Sequence, residues 1–260
     1  MTLGKLSLYT FVGLVLIFLI VPTLIVIPLS FSPTSIMQFP PESWSLRWYE
    51  KYLSQPGWVS ATWNSVIIAV ITPFLAVPVG SLAAYALVRG TFVGRKTVSF
   101  FMLLPIIVPT LVTAIAIFKV FSQFQLSGTI LGFVIAHAIL AIPFVVTIMT
   151  ATLKGVDPQL ENASMTLGAS RVTTVRMVTL PIAAPGLMAS ALFAFLISFD
   201  ELIVAIFLSS PVLNTLPKKL WDGIRLELDP TLAAVSTILV VVSLLVLACA
   251  GLLMRRTNSQ

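Results

Sequence analysis

The sequence predicts an all-α integral membrane protein with six transmembrane helices and both termini in the cytoplasm, and three observations predict it. The first is composition: 58% of the 260 residues are hydrophobic and only 9% are charged, with a mean hydropathy of +1.07. Soluble domains carry about a quarter charged residues, so this balance belongs to a chain surrounded by lipid. The second is the presence of six apolar stretches, each near the about 20 residues that a span requires. The third is the placement of Lys and Arg, which separates into a rich and a poor side. The whole chain, 1–260, reads as a single transmembrane domain.

The first stretch, about 8–30, sits inside an apolar run from Leu6 to Phe31. That run is too long for a signal-peptide core and no small-residue cleavage site follows it, so a retained helix is expected. The second and third stretches cover about 62–88 and 98–121, the fourth 129–153, the fifth 185–209 and the sixth 231–254. Long connections follow the first, fourth and fifth. Pro22, Pro28, Pro73, Pro78, Pro105, Pro109 and Pro143 lie within these runs. Each removes a backbone donor and crowds the preceding turn, so kinked helices are expected. The single cysteine, Cys249, excludes an intrachain disulfide and a cysteine-based metal cluster.

Orientation follows from the cations. With the N-terminus inside, Lys5, Arg89, Arg95, Lys96, Lys154, Arg171, Arg176, Arg255 and Arg256 are cytoplasmic, nine in all. The outer side holds five, Arg47, Lys51, Lys218, Lys219 and Arg225, offset there by Glu42, Glu50, Asp222, Glu227 and Asp229. Lys119 stands at the outer end of the third span. The net charge of +6 therefore reports topology beside apolar runs rather than a nucleic-acid surface.

The cytoplasmic segment 155–181 is too polar to span and too structured to be a plain linker. Asp157-Pro158 is a helix start, because Asp accepts from free amides and proline suits the first helical position. Leu160, Ala163, Ser164 and Leu167 recur at helical spacing and form one mostly small, apolar face. Gly168 can close that helix in a left-handed cap. Ser170 can cap a second helix running to about Thr179 and stopped by Leu180-Pro181. Two short helices at an angle are the expected product.

The stretch ENASMTLGASRVTTVRMVTLP, residues 161–181, resembles the EAA loop of ABC-importer permeases. The family pattern is Glu-Ala-Ala, three residues, Gly, nine residues, Ile, one residue, Leu-Pro. Aligned on Gly168, it places the triplet at Asn162, Ala163 and Ser164, the Ile at Val178 and the close at Leu180-Pro181. Asn162 departs from the pattern, since the acid stands one residue earlier at Glu161, and an ion pair from the triplet's first position is not carried over to it. The resemblance implies a type I ABC-importer permease fold. It also implies that this loop, with Glu161, Asn162, Ala163, Ser164, Leu167, Gly168, Ala169, Leu180 and Pro181, docks in a cleft of an ATP-binding subunit. The bland reading is an amphipathic loop resting on lipid headgroups. Elsewhere WSLRWYEKYL (44–53), NSVIIAVI (64–71) and SFDELIVAIFLS (198–209) resemble permeases of the spermidine/putrescine group, in its second-permease branch.

Asp200 and Glu201 fall inside the fifth stretch, about 15 residues from its start, or roughly 22 Å at about 1.5 Å per residue. An acid within a span costs a few kcal/mol at least, so it faces a water-filled path or a partner. Read as one continuous helix, the two point about 100° apart, so one can face a pathway while the other pairs with protein, Lys119 being available for that. The resemblance implies that this segment, Ser198, Phe199, Asp200 and Glu201, lines a route for a cationic substrate; the structural alternative is an ion pair or solvation near the outer surface. His137, alone in the fourth stretch, is expected to hydrogen-bond a neighbouring helix. Trp44, Trp48, Trp58 and Trp63 fit an aromatic belt, or an amphipathic helix that meets an external binding protein.

No phosphate-cradling Gly-x4-Gly-Lys-Ser/Thr loop occurs; in GTFVGRKT, Gly90 and Gly94 stand too close together. The chain is thus expected to be a transport subunit and not an enzyme, with no cofactor or metal of its own and with ATP and Mg held by a partner ATPase. The resemblance implies the bacterial inner membrane as its place. It implies as partners a second permease, two ATP-binding subunits, a periplasmic binding protein and membrane lipid, but no nucleic acid. Polyamines are the substrate it points to; an opine, an amino acid or an aminophosphonate also fits two acids in a pathway. A stand-alone secondary transporter would use similar kinked helices, but leaves the capped loop without a purpose.

Overall fold

The structure, a computed structural model, describes residues 3–35, 38–226 and 230–257. Glu227 and Asp229 of the last outer loop lie outside the described residues. Every regular element among the described residues is helical: α1 (Leu3–Leu29), α2 (Arg47–Ser54), α3 (Pro56–Arg89), α4 (Arg95–Ile107), α5 (Thr110–Gln123), α6 (Ile130–Gly155), α7 (Pro158–Thr166), α8 (Arg171–Ile182), α9 (Ala184–Asp200), α10 (Ile203–Leu208), α11 (Leu216–Leu226) and α12 (Thr231–Thr257). An all-helical plan is what a bilayer demands of a spanning chain that does not close a barrel, because helices satisfy their own backbone polar groups.

Among the described residues three helices, α1, α3 and α6, are individually long and apolar enough to cross a membrane. Two further candidates are bent pairs, α4 with α5 at 101° and α8 with α9 at 75°. The sequence reads 98–121 as one span, but the chain breaks there. Pro109 has no amide to donate, and the residue before it, Val108, is forced to an extended conformation (φ −76°, ψ 133°), so the helix cannot pass through. The stretch 185–209 is also interrupted: α9 stops at Asp200 and α10 restarts at Ile203. By contrast, Pro22, Pro28, Pro73, Pro78, Pro105 and Pro143 stay within helices.

The chain divides into two compact units, Met1–Val59 with Leu220–Gln260, and Ser60–Lys219. In the first, α1 exposes its apolar side chains from Leu8 to Leu24, Phe18 at 76%, and half-buries Ile25, Val26, Ile27 and Leu29. The chain after α1 is pinned by aromatics: the Trp48 indole donates to the Ser32 carbonyl at 2.7 Å, Tyr49 Oη and Ser30 Oγ lie 2.6 Å apart, and the Arg47 guanidinium sits 4.4 Å over the Trp48 ring. Trp48 and Trp58 are each 4% exposed, so these two pack inside the unit and are not belt residues; Trp44 and Trp63 remain exposed.

In the second unit α6 is the central helix, with α4, α9 and α10 packed on it. One core cluster gathers Ile68, Phe121, Phe133, Val134, Val204 and Leu208. The other is built largely of small residues, Ala76, Ala84, Ala138, Ala141, Ala183 and Ala194, with Val145 and Met149. Small side chains let helix backbones approach closely, which is how association gains packing energy where lipid supplies no hydrophobic drive. Gly80 marks a close approach of α3 to α6: a Cβ there would lie 2.6 Å from Val145 Cγ1. The segment after α10 is tied back to α3, where Ser65 Oγ accepts from the Leu216 amide at 2.8 Å and Asn64 donates to the Asn214 carbonyl at 2.9 Å.

Candidate functional site

The caps of the loop after α6 form where its sequence expects them. Asp157 Oδ1 accepts from the Gln159 amide at 2.9 Å and Pro158 opens α7. The far end is closed by a paired cap in which Gly168 N–H donates to the Met165 carbonyl at 3.0 Å and Ala169 N–H to the Ser164 carbonyl at 3.2 Å. Gly168 carries φ +91°, a left-handed conformation that glycine adopts without penalty. Ser170 Oγ then accepts from the Thr173 amide at 3.2 Å and starts α8. The second helix does not stop at Leu180-Pro181. A wide π turn over Val175–Thr179 makes room for the Pro181 ring, and the helix runs on to Ile182 before the 75° bend.

Leu160, Ala163 and Leu167, three members of the apolar face that the spacing predicts, point outward, and the face turned to the bundle is polar. Leu160 and Ala163 are exposed, Asn162 is exposed, and Leu167 is 89% exposed, whereas Glu161 is buried. Glu161 Oε2 accepts from Arg89 Nε at 3.0 Å and Oε1 from the Thr179 hydroxyl at 3.0 Å. A second Arg89 nitrogen donates to the Val156 carbonyl at 2.8 Å, and Ser164 Oγ lies 3.1 Å from Thr174 Oγ1. The end of α3, the start of the loop, α7 and α8 are thereby locked into one piece by charge-assisted bonds. Arg89 and Thr179 are the residues that sequence reasoning missed. The available signal was the displaced acid at 161, which has no reason to sit one place early unless it has its own partner.

Asp200 and Glu201 do not share a helix. Asp200 ends α9 and is exposed. Glu201 is extended (φ −71°, ψ 111°), and its Oε1 accepts from the Val204 amide at 3.0 Å, capping the restart of the chain as α10. Lys119 is exposed and pairs with neither acid. Ser198 is 3% exposed: its Oγ lies 2.9 Å from His137 Nδ1 and 3.0 Å from Thr72 Oγ1, and Thr72 donates to the Ile68 carbonyl at 2.8 Å. The interior thus takes up Ser198, and His137 bonds a neighbouring helix as expected. Phe199 is half-buried and stacks on Phe195 with ring centroids 5.9 Å apart. One segment therefore offers an exposed carboxylate, a capping carboxylate and a serine held by the core.

The sequence model of the family described as the binding-protein-dependent transport system inner membrane component matches residues 76–259, which includes the whole capped loop and both acids. The chain belongs to this family. It is an ABC-importer permease, a transport subunit of the inner membrane. Family permeases carry the EAA loop with its coupling helix, and 155–181 has that form. The chain is 30% identical over 249 residues to the spermidine/putrescine transport system permease protein PotC of Haemophilus influenzae, covering 95% of this chain and 96% of that one. It is 28% identical over 250 residues to the putrescine transport system permease protein PotI of Escherichia coli, covering 94% and 89%. Among solved structures, a bacterial alginate ABC transporter in complex with an alginate pentasaccharide-bound periplasmic protein superposes with a TM-score of 0.74 at 17% identity, covering 98% of this chain and 94% of that chain. That likeness carries the fold of a type I importer permease.

Proposed function

We propose that this permease moves polyamines of the spermidine and putrescine class inward, as one of two permeases working with two ATP-binding subunits and a periplasmic binding protein. The observation that carries the reading is its likeness, over nearly the full length of both chains, to permeases named for these cations. The exposed Asp200 supports it. A carboxylate at that depth is too costly against lipid and needs a water-filled route or a cationic partner, and a polyamine in transit supplies positive charge.

In this reading Leu167, Gly168 and Ala169, at the tip between α7 and α8, enter the cleft of an ATP-binding subunit, with Asn162 and Ala163 on the exposed side of α7. ATP and Mg, held by that partner, close the two motors and move the loops. Leu180 and Pro181 lie where α8 approaches the 75° bend into α9, so displacement of α7 and α8 acts directly on the helix that ends in Asp200. Such rigid-element motion between two states needs only that ATP and substrate prefer different ones.

The test is uptake of labelled spermidine and putrescine into liposomes holding the complex, with binding protein outside and ATP inside. ATP-dependent uptake that weakens when Asp200 is neutralised carries both class and route. Binding-protein-stimulated ATP hydrolysis without transport of either cation would remove the polyamine assignment and leave an importer of another amine-bearing solute.

A further inference from the structure

We propose that the recess between α4 and α6 is a binding site for an anionic phospholipid of the leaflet on the coupling-loop side. The recess has a volume of about 990 Å³ and is lined at one end by Arg95, Lys96 and Lys154, and at the other by Leu103, Val146 and Thr147. No acidic residue lines it. Arg95 and Lys96 open α4, while Lys154 closes α6, so the antiparallel pair brings three cations to one level. Leu103 and Val146 each stand eight residues from that level along their own helix, about 12 Å deeper at about 1.5 Å per residue.

This gradient selects the occupant. All three cations are exposed, and none has an ion pair or a side-chain hydrogen bond among the described residues. Their mutual repulsion calls for a counter-charge, and two bases in the first turn of α4 also oppose the helix dipole, which prefers anions there. A free phosphate would meet the cations but leave the apolar depth empty. An uncharged lipid would fill the depth and leave the cations uncompensated. A phosphate headgroup on acyl chains meets both ends, and each Lys or Arg near a membrane surface raises affinity for anionic lipid about fivefold. The site is separate from the intramembrane acids and holds whether or not polyamines are the cargo.

The experiment purifies the whole complex in detergent and counts retained phosphatidylglycerol and cardiolipin per complex by mass spectrometry after lipid extraction. The variants are Arg95→Gln/Lys96→Gln/Lys154→Gln, which removes the headgroup partners, and Thr147→Trp, which fills the apolar end from an exposed position while keeping every charge that sets topology. The triple variant is expected to lower retention at least about fivefold, the worth of one such cation contact, and Thr147→Trp to lower it severalfold by blocking the acyl chains. Lys218→Gln/Lys219→Gln on the other face is expected to change nothing. Unchanged retention in the triple variant overturns the proposal. A drop in the triple variant with none in Thr147→Trp marks an anion site without a lipid tail, and overturns it too. So does loss of the second permease with lipid counts per chain intact, which would make the recess a contact between permeases.

Discussion

Arg89 and Glu161 meet at 3.0 Å where the end of α3 reaches the first turn of α7, with side chains 16% and 7% exposed. Seventy-two residues apart in sequence, they make the loop 155–181 a rigid extension of the bundle, because the same carboxylate also holds Thr179 on α8. In the coupling role proposed for this loop it would transmit force, and an anchor of this kind serves that role.

Glu161→Ala should therefore free the loop while leaving the span helices in place. The exposure of Arg89 puts the cost toward the low end for a broken buried pair, about 3 kcal/mol. Hydrogen exchange over 158–182 is expected to accelerate, and ATP hydrolysis to lose its stimulation by the binding protein. Arg89→Met/Glu161→Met, which leaves no charge stranded, should exchange more slowly than Glu161→Ala. Equal protection in wild type and Glu161→Ala would show the pair to be dispensable.

At Gly168 the constraint is conformational, not steric. The residue sits at φ +91° with nothing within 4 Å of where a Cβ would be. Gly168→Val is expected to cost about 1–2 kcal/mol in cap stability and to reduce co-purification with the ATP-binding subunit. Gly168→Asn, which tolerates the left-handed region, should retain most of it. If valine and asparagine behave alike, the cap is not what presents the loop.

Leu167 tests the docking surface itself. It is 89% exposed, so Leu167→Glu should leave the permease's thermal stability within about 0.5 kcal/mol of wild type. Under the proposed docking its complex with the ATP-binding subunit is nonetheless expected to dissociate, since a charge would replace an apolar side chain at the tip of the loop. A stable complex in pull-down would move the contact elsewhere on α7 or α8.

The loop was legible from sequence because its caps are local: Asp157-Pro158, Gly168 and Ser170 each act within a few residues. The helical class and the apolar stretches were legible for a similar reason, as mean composition over about 20 residues decides them. Long-range geometry was not. The 101° bend at Pro109 falls inside an unbroken apolar run, so hydropathy passes over it. Arg89 counted only as a topology marker, although its partner is Glu161. The break at Glu201 was hidden because Leu202 to Phe207 continue the apolar pattern, and only the extended backbone turns that acid into a cap. Trp48 and Trp58 read as interfacial by type, yet are buried by their neighbours.

The core hydrogen-bond chain gives a stability prediction. Ser198 serves both His137 and Thr72 from a position 3% exposed. Ser198→Ala strands His137 Nδ1 on α6, while Thr72 keeps its bond to the Ile68 carbonyl, and the loss costs about 1–3 kcal/mol. A lower melting temperature of the solubilised complex is expected, with the apparent affinity for substrate unchanged. An altered affinity at unaltered stability would instead put Ser198 on the substrate route.

The two acids should separate cleanly, because the structure gives them different work. Asp200 is exposed and has no partner among the described residues, so Asp200→Asn removes charge and nothing structural. Uptake of a divalent or trivalent cation is then expected to fall several-fold through a raised KM, with assembly and ATP hydrolysis intact. Glu201 caps α10 through the Val204 amide, and a glutamine oxygen accepts that bond as a carboxylate does. Glu201→Gln is therefore expected to be mild, while Glu201→Ala should lose about 1 kcal/mol of cap energy and lower complex yield. If Glu201→Gln instead abolishes uptake while Asp200→Asn leaves it unchanged, the charge at the capping position attracts the cation, and the exposed carboxylate at the end of α9 is not on the route.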